Sequence, residues 1–347
     1  MIMSAPIKTY SIEGVKGIIE EAGLPLFRAD QVLSWIYGKG VESYEEMTNL
    51  PKSMREQLED SFPLYHPELV VKNESVDGSR KYLLKYHDDV MVETVGLPSR
   101  DGRLTVCCSS QAGCGMGCSF CATGKQGLVR NLCPGEIVDQ VIAVQNDFNV
   151  RVTNIVVMGQ GEPFANYDDT LAALRILNNP RLLNIGSRHI TISTCGIIAG
   201  IERFSKEKEQ FTLAVSLHSA IQEKRDALMP GMKNQSLASL HESLERYNKS
   251  DNRRFTFEYA LMKNVNDGTE DLDALISYCK GLLCHVNLIP LNDVEDSVYK
   301  PVSYKAMEEW KNKLEKKGIA STVRNSKGGD VSAACGQLKA SYVNAHL

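Results

Sequence analysis

Apolar positions recur at helical spacing through the first 66 residues. Ile12, Val15, Ile18 and Ile19 make one stripe that Leu24-Pro25 breaks, and a second helix fits Arg28 to Tyr37. Pro51 suits the first position of a third helix, with Met54 and Leu58 on one face. Residues 69–96 then change period. Leu69-Val70-Val71, Tyr82-Leu83-Leu84 and Val90-Met91-Val92 read as strands, with a turn at Asp77-Gly78. Pro98-Ser99-Arg100-Asp101-Gly102 reads as a boundary, so the pattern predicts an accessory domain over 1–98 and a second domain over 99–347.

Beyond Arg103 short apolar strands alternate with amphipathic helices. Strands are predicted at Leu104–Cys108, Ile155–Met158, Ile190–Ser193, Leu213–Leu217, Phe255–Ala260, His285–Ile289 and Ile319–Val323. Helices are predicted near Pro134–Phe148, Asp168–Leu177, Ile197–Phe204, Leu272–Leu283 and Tyr304–Leu314, with one more capped by Ser236. That alternation predicts an α/β fold. Its parallel sheet with helical crossovers forms a partial (β/α)6-type barrel of six or seven βα units, preceded by a small helical plus β-hairpin accessory domain.

Composition adds little beyond this. Hydrophobic residues make up 43% and charged residues 24%, which excludes disordered and fibrous classes. The first residues show no basic region leading into a long apolar stretch, and no apolar run approaches the roughly 18 residues of a membrane span. A soluble cytoplasmic protein is expected. The net charge of −4 does not advertise nucleic-acid binding. It hides an asymmetry, since residues 1–60 hold six Lys/Arg against ten Asp/Glu and residues 300–347 hold nine against four. Arg80, Lys81, Arg100, Arg103, Lys125 and Arg130 join that basic C-terminal segment as possible phosphate contacts.

The cysteines change the picture. Of ten, Cys107, Cys108, Cys114, Cys118 and Cys121 fall within fifteen residues. Cys114, Cys118 and Cys121 stand in a Cys-x3-Cys-x2-Cys spacing directly after the first core strand. Three thiolates cannot complete the four-cysteine shell of an electron-transfer [4Fe–4S] cluster, but they can hold one with an iron left open to a chelating ligand. Structural zinc would need a fourth ligand from elsewhere, as no histidine lies between His87 and His189. Cys107 and Cys108 alternate on a strand, so one of them faces the barrel interior; Leu104, Val106 and Cys108 share one face and Thr105 and Cys107 the other.

The loop resembles the radical S-adenosylmethionine superfamily, and its surroundings narrow the likeness. Cys107-Cys108-Ser109-Ser110-Gln111-Ala112-Gly113-Cys114, Met158-Gly159-Gln160-Gly161-Glu162-Pro163, Ile192-Ser193-Thr194 and Ser216-Leu217-His218 stand in order. Asn287-Leu288-Ile289-Pro290-Leu291-Asn292 and Ala333-Ala334-Cys335-Gly336-Gln337-Leu338 follow them. Together they resemble the RNA adenine methyltransferases of the RlmN/Cfr type. Gln160 departs from the methionine usual at that position of the family.

The resemblance implies one [4Fe–4S] cluster on Cys114, Cys118 and Cys121. It implies S-adenosylmethionine contacts from Gly161, Glu162, Ser193, Ser216, Leu217, His218 and Asn292, with two cofactor molecules used per turnover. It further implies that Cys335 is methylated and carries the carbon to RNA, that Glu93 is the general base, and that Cys107 resolves the adduct through a disulfide with Cys335. Pro163 fits the branch that methylates adenine C2 better than the C8-methylating resistance branch. The implied substrates are 23S ribosomal RNA at the peptidyl-transferase centre and the adenosine 3′ of some tRNA anticodons. A reductant such as flavodoxin and a monomeric state complete the expectation. A radical enzyme acting on protein or a small molecule, and a non-catalytic RNA-binding iron–sulfur protein, are the rival readings; the first leaves Cys107 and Cys335 without a task, and the second leaves Glu162 and the cofactor pocket idle.

Overall fold

A computed structural model describes residues 5–291, 298–324 and Leu338. Three helices open the chain: α1 (Ile12–Glu21), α2 (Phe27–Leu33) and α3 (Lys52–Ser61). The Ser11 hydroxyl caps α1 by accepting from Gly14 N–H. Pro51 sits at the N-cap of α3, one residue earlier than the pattern predicts. The second predicted helix continues past α2 as a π-helical turn over Ser34–Lys39, ended by left-handed Gly40.

An antiparallel meander follows, with β1 (Glu68–Glu74), β2 (Arg80–Lys85) and β3 (Met91–Pro98). It does not stand apart from the rest of the chain. β3 pairs antiparallel with β4 (Leu104–Cys107), opposing Val95 to Cys107 and Gly96 to Val106. One ten-stranded sheet therefore runs from the accessory strands into the barrel.

The barrel strands are β4, then β7 (Asn154–Val157), β8 (Ile190–Thr194), β9 (Thr212–Ser216), β10 (Phe255–Leu261), β11 (Cys284–Pro290) and β12 (Ser321–Val323), all parallel and in sequence order. Between β4 and β7 lies a separate hairpin, β5 (Gln111–Gly113) with β6 (Leu128–Asn131), with the short helix α4 (Ala122–Lys125) between its strands. The outer layer is made by α5 (Pro134–Phe148), α6 (Tyr167–Asn178), α7 (Ile198–Phe204), α8 (Gln222–Leu228), α9 (Leu237–Asp251), α10 (Thr269–Tyr278) and α11 (Tyr304–Lys316). Among the described residues no helix is long and apolar enough to cross a membrane.

The main core lies between strands and outer helices. Leu104, Val106, Ile155, Val157, Ile190, Ile192, Leu213 and Val215 alternate along their strands into it, against Ile137, Val141, Leu174, Ile201 and Leu244 of the helices. The same alternation turns the intervening residues toward the barrel interior. The α/β fold with its partial barrel and accessory domain is what the sequence pattern predicts. The β5–β6 hairpin, α4 and α8 are additions, each too short to leave a period.

Candidate active site

The cysteine loop is held at both ends and from above. β5 and β6 staple its ends together, opposing Gly113 to Leu128, and Cys114 N–H donates to Gly127 O at 2.9 Å. Gly113 has φ of +78°, and a Cβ there would lie 2.0 Å from Gly127 O, so the staple requires glycine. On the other side Ser119 N–H donates to Leu228 O at 2.9 Å and Gly231 N–H to Met116 O at 3.0 Å. Met116, Cys118 and Phe120 pack on a second apolar cluster of Cys195, Leu228, Met229, Met232, Ala260 and Met262.

The three loop thiols are partly exposed. Burial pushes Cys114 up to about 11 and Cys118 up to about 12, and the neighbouring loop thiols and Glu162 push in the same direction. Thiols raised in this way at Cys114 and Cys118 are suited to a cationic group that neutralises them together. No three His, Cys, Asp or Glu side chains among the described residues gather around a single ion position. A cubane instead offers its cysteines separate iron corners. Nearby orphaned groups also fit a bound cofactor: both side-chain polar atoms of Gln160 are buried without a partner, as are Nε and Nη1 of Arg225.

The turn after β7 lies beside this loop. Gly159 N–H donates to Cys108 O, and a Cβ on Gly159 would meet Ser109 Oγ at 2.7 Å. Gly161 has φ of +102°, and a Cβ there would meet Gln111 N at 2.7 Å. Ser109 Oγ ties the region together by donating to Glu93 O at 2.6 Å and accepting from Gln160 N–H at 2.9 Å. Glu162 is buried, with one oxygen accepting from Phe164 N–H at 2.9 Å and the other from Cys195 N–H at 2.7 Å. Burial raises its pKa, partly offset by these bonds. Each oxygen keeps a further lone pair for an ammonium donor.

Farther round the rim, Ser193 and Ser216 sit half-buried at the ends of β8 and β9. Leu217 is fully buried in the main core; its N–H donates to Glu258 O and its carbonyl accepts from Ser219. His218 adopts a left-handed φ of +54° and accepts Ala260 N–H on Nδ1 at 3.0 Å. Asn266 holds the His218 carbonyl at 2.6 Å, and the Phe120 ring of the cysteine loop meets the imidazole edge-on at 4.8 Å between centroids. Burial drives the His218 pKa down to about 3, so the ring is neutral with its proton on Nε2. Asn292 and Cys335 lie outside the described residues.

Glu93 and Cys107 occupy the adjoining strands. Lys81, Val95 and Cys107 are directly opposed across β2, β3 and β4, which places their side chains on one face with Glu93 two residues from Val95. Glu93 Oε2 pairs with Lys81 Nζ at 2.9 Å, and both side chains are buried. Cys108 points the other way, wholly inside the main core, and burial pushes its thiol up to about 12. Thr94 Oγ1 donates to Cys107 O at 2.9 Å, fixing the end of β4.

One expectation about phosphate contacts is corrected. Lys81 is not a surface cation but the buried partner of Glu93. Arg80 is engaged by Asp147 and Glu74, Arg103 by Asp101, and Arg130 by Asp88 and Glu136. Arg100 and Lys125 stay exposed without an ion pair among the described residues. The sequence reading also passed over Glu258, buried on β10 and accepting from Asn287 at 2.9 Å, and over Asn266 and Arg225. Their polarity is visible in the sequence, but only the tertiary contacts bring them to this rim.

Residues 108–276 match the Radical SAM superfamily, and residues 9–63 match the ribosomal RNA large subunit methyltransferase N-terminal domain. A probable dual-specificity RNA methyltransferase RlmN of Clostridium beijerinckii is 43% identical over 96% of this chain and 95% of its own. One of Clostridioides difficile with the same description is 43% identical over 97% of this chain and 98% of its own. The crystal structure of a radical SAM methyltransferase from Sphaerobacter thermophilus superposes with a TM-score of 0.89 at 39% identity, covering 96% of this chain and 98% of that one.

Proposed function

This chain belongs to the RlmN family of radical S-adenosylmethionine RNA methyltransferases, and from that premise we propose that it methylates carbon 2 of adenosine in 23S ribosomal RNA and in some tRNAs. The observation that carries the reading is the shared sheet face of Glu93 and Cys107 beside a stapled three-cysteine loop. A radical enzyme acting on protein or a small molecule needs the loop but has no use for a base and a thiol on the adjoining strands.

Cys114, Cys118 and Cys121 would hold the cluster, and the turn at Gly161-Glu162, with Ser193, Ser216, His218 and Asn292, would seat S-adenosylmethionine against it. Bound there, cluster and cofactor supply the one-electron cleavage that makes a carbon radical, which an electron-poor adenine carbon requires because it offers no lone pair to a sulfonium methyl. The chain's residues do the rest. Glu162 orients the ammonium group, and neutral His218 offers Nε2–H as a donor. Cys335 would accept the methyl group and hold it as a thioether where the bound cofactor could remove a hydrogen atom from it. Once the carbon has joined adenine the adduct must give up one electron, for which the oxidised cluster would be the acceptor, and Glu93 would take the ring proton. Cys107 then attacks the Cys335 sulfur, forming a disulfide and freeing the methylated base, and an external reductant such as flavodoxin restores both thiols.

The test is anaerobic turnover with methyl-labelled cofactor, followed by mass spectrometry of digested RNA. 2-Methyladenosine is the expected product. 8-Methyladenosine would assign the chain to the other branch chemistry, and label absent from RNA would remove the proposal. Cys118→Ala should lose the iron chromophore and all cofactor cleavage.

A further inference from the structure

Arg225 on α8 is the largest fully buried side chain among the described residues. Among the described residues its one hydrogen bond runs from Nη2 to Cys195 O at 2.6 Å, and Nε and Nη1 are buried without partners there. No carboxylate pairs with it among the described residues. Lys8 pairs with Asp139 at 2.7 Å and Lys81 with Glu93 at 2.9 Å, while buried Arg253, which has no carboxylate among the described residues, is held by the Phe204 and Phe211 carbonyls and lies over the Phe204 and Tyr247 rings; Arg225 has neither kind of compensation for Nε and Nη1. An isolated buried charge is strongly disfavoured, so a guanidinium kept here calls for a negative partner that is not a protein side chain.

Its place in the fold indicates that partner. Leu228, one helical turn beyond Arg225, accepts the Ser119 N–H of the cysteine loop. The guanidinium lies against the Cys195-Gly196 turn, where a Cβ on Gly196 would come within 3.1 Å of Nη2. Cys195 and Cys118 share the apolar cluster that backs the loop. Glu162 makes no ion pair with Arg225 among the described residues; its oxygens accept from Phe164 N–H and Cys195 N–H.

We infer that Arg225 is the buried counter-charge of the iron–sulfur cluster, a positioning residue that makes the loaded cysteine loop easier to reduce. The inference rests on the cluster reading above. A cluster held by three thiolates is anionic and gains a further negative charge on reduction. A fixed cation in a low-dielectric wall therefore stabilises the reduced form more than the oxidised one.

The experiment compares full-length wild type, Arg225→Gln and Arg225→Lys after anaerobic iron loading. Iron per chain and an electron paramagnetic resonance redox titration are measured without S-adenosylmethionine. Arg225→Gln should lower the ratio of reduced to oxidised cluster at least tenfold at a fixed potential, about 59 mV for one electron. Arg225→Lys should stay within threefold of wild type. A fully loaded Gln variant with wild-type potential overturns the inference, and so does an unchanged potential with weakened cofactor binding, which would make the cofactor carboxylate the partner. Should the Gln protein not fold, the Lys protein decides: a near-wild-type ratio supports the charge role, and a tenfold shift overturns it. Wild type that binds no iron would instead remove the cluster reading itself.

Discussion

Lys81 on β2 and Glu93 on β3 form a buried ion pair of 2.9 Å on the sheet face that also carries Cys107. The pair gives the proposed base a fixed orientation and a compensating charge in a place water does not reach. It also explains how a carboxylate flanked by Val92 and Thr94 is tolerated inside the sheet.

Breaking this pair from one side should be costly. Lys81→Met leaves Glu93 buried alone and should lose about 3–5 kcal/mol of stability. The double variant Lys81→Met/Glu93→Leu should recover most of that in a urea melt while remaining inactive on RNA. Recovery of RNA methylation together with stability would show that Glu93 serves packing only.

The two adjacent cysteines should behave differently. Cys107→Ala should accumulate protein joined covalently to RNA through Cys335, read on a denaturing gel with nuclease digestion and peptide mass spectrometry. Cys108→Ala should turn over nearly as wild type, at a packing cost of about 1 kcal/mol. With its thiol pushed up to about 12, Cys108 should also resist alkylation at pH 8 in the folded protein. A crosslink trapped by Cys108→Ala instead would reverse the assignment of faces.

Glu162→Gln replaces one acceptor oxygen with an amide group that must face a backbone N–H, of Phe164 or of Cys195. That mismatch should cost about 1–3 kcal/mol of stability and weaken cofactor binding as well. Thermal melts and calorimetric titration with S-adenosylmethionine report the two effects separately. Wild-type values in both would remove Glu162 from the cofactor site.

His218 should shape the acid limb of stability. Its folded-state pKa of about 3 lies below its ordinary value of 6.5, so the unfolded chain binds the proton more readily. Stability is therefore full above about pH 6.5 and is lost as pH falls toward 3, with a slope approaching about 1.4 kcal/mol per unit. His218→Asn keeps an acceptor for Ala260 N–H and tolerates the left-handed backbone, so it should flatten that limb in urea melts across the window. An unchanged slope would place the acid sensitivity elsewhere.

The βα alternation, the stripes that bury Ile155, Leu174 and Leu244, and the three-cysteine spacing are legible in the sequence. These are local periodicities, and a period of two or 3.6 residues is written directly into the order of apolar positions. The sequence also separates the faces of Cys107 and Cys108, because alternation along one strand needs no knowledge of the neighbours. Only the tertiary contacts make Lys81 a buried partner rather than a phosphate contact, bring the N–H of Cys195, just past β8, to the Glu162 carboxylate, and seal Arg225 behind the cysteine loop. Each of those depends on register and packing between segments far apart in the chain. A charged residue reads the same in sequence whether it meets water or a partner, and only the fold supplies the partner.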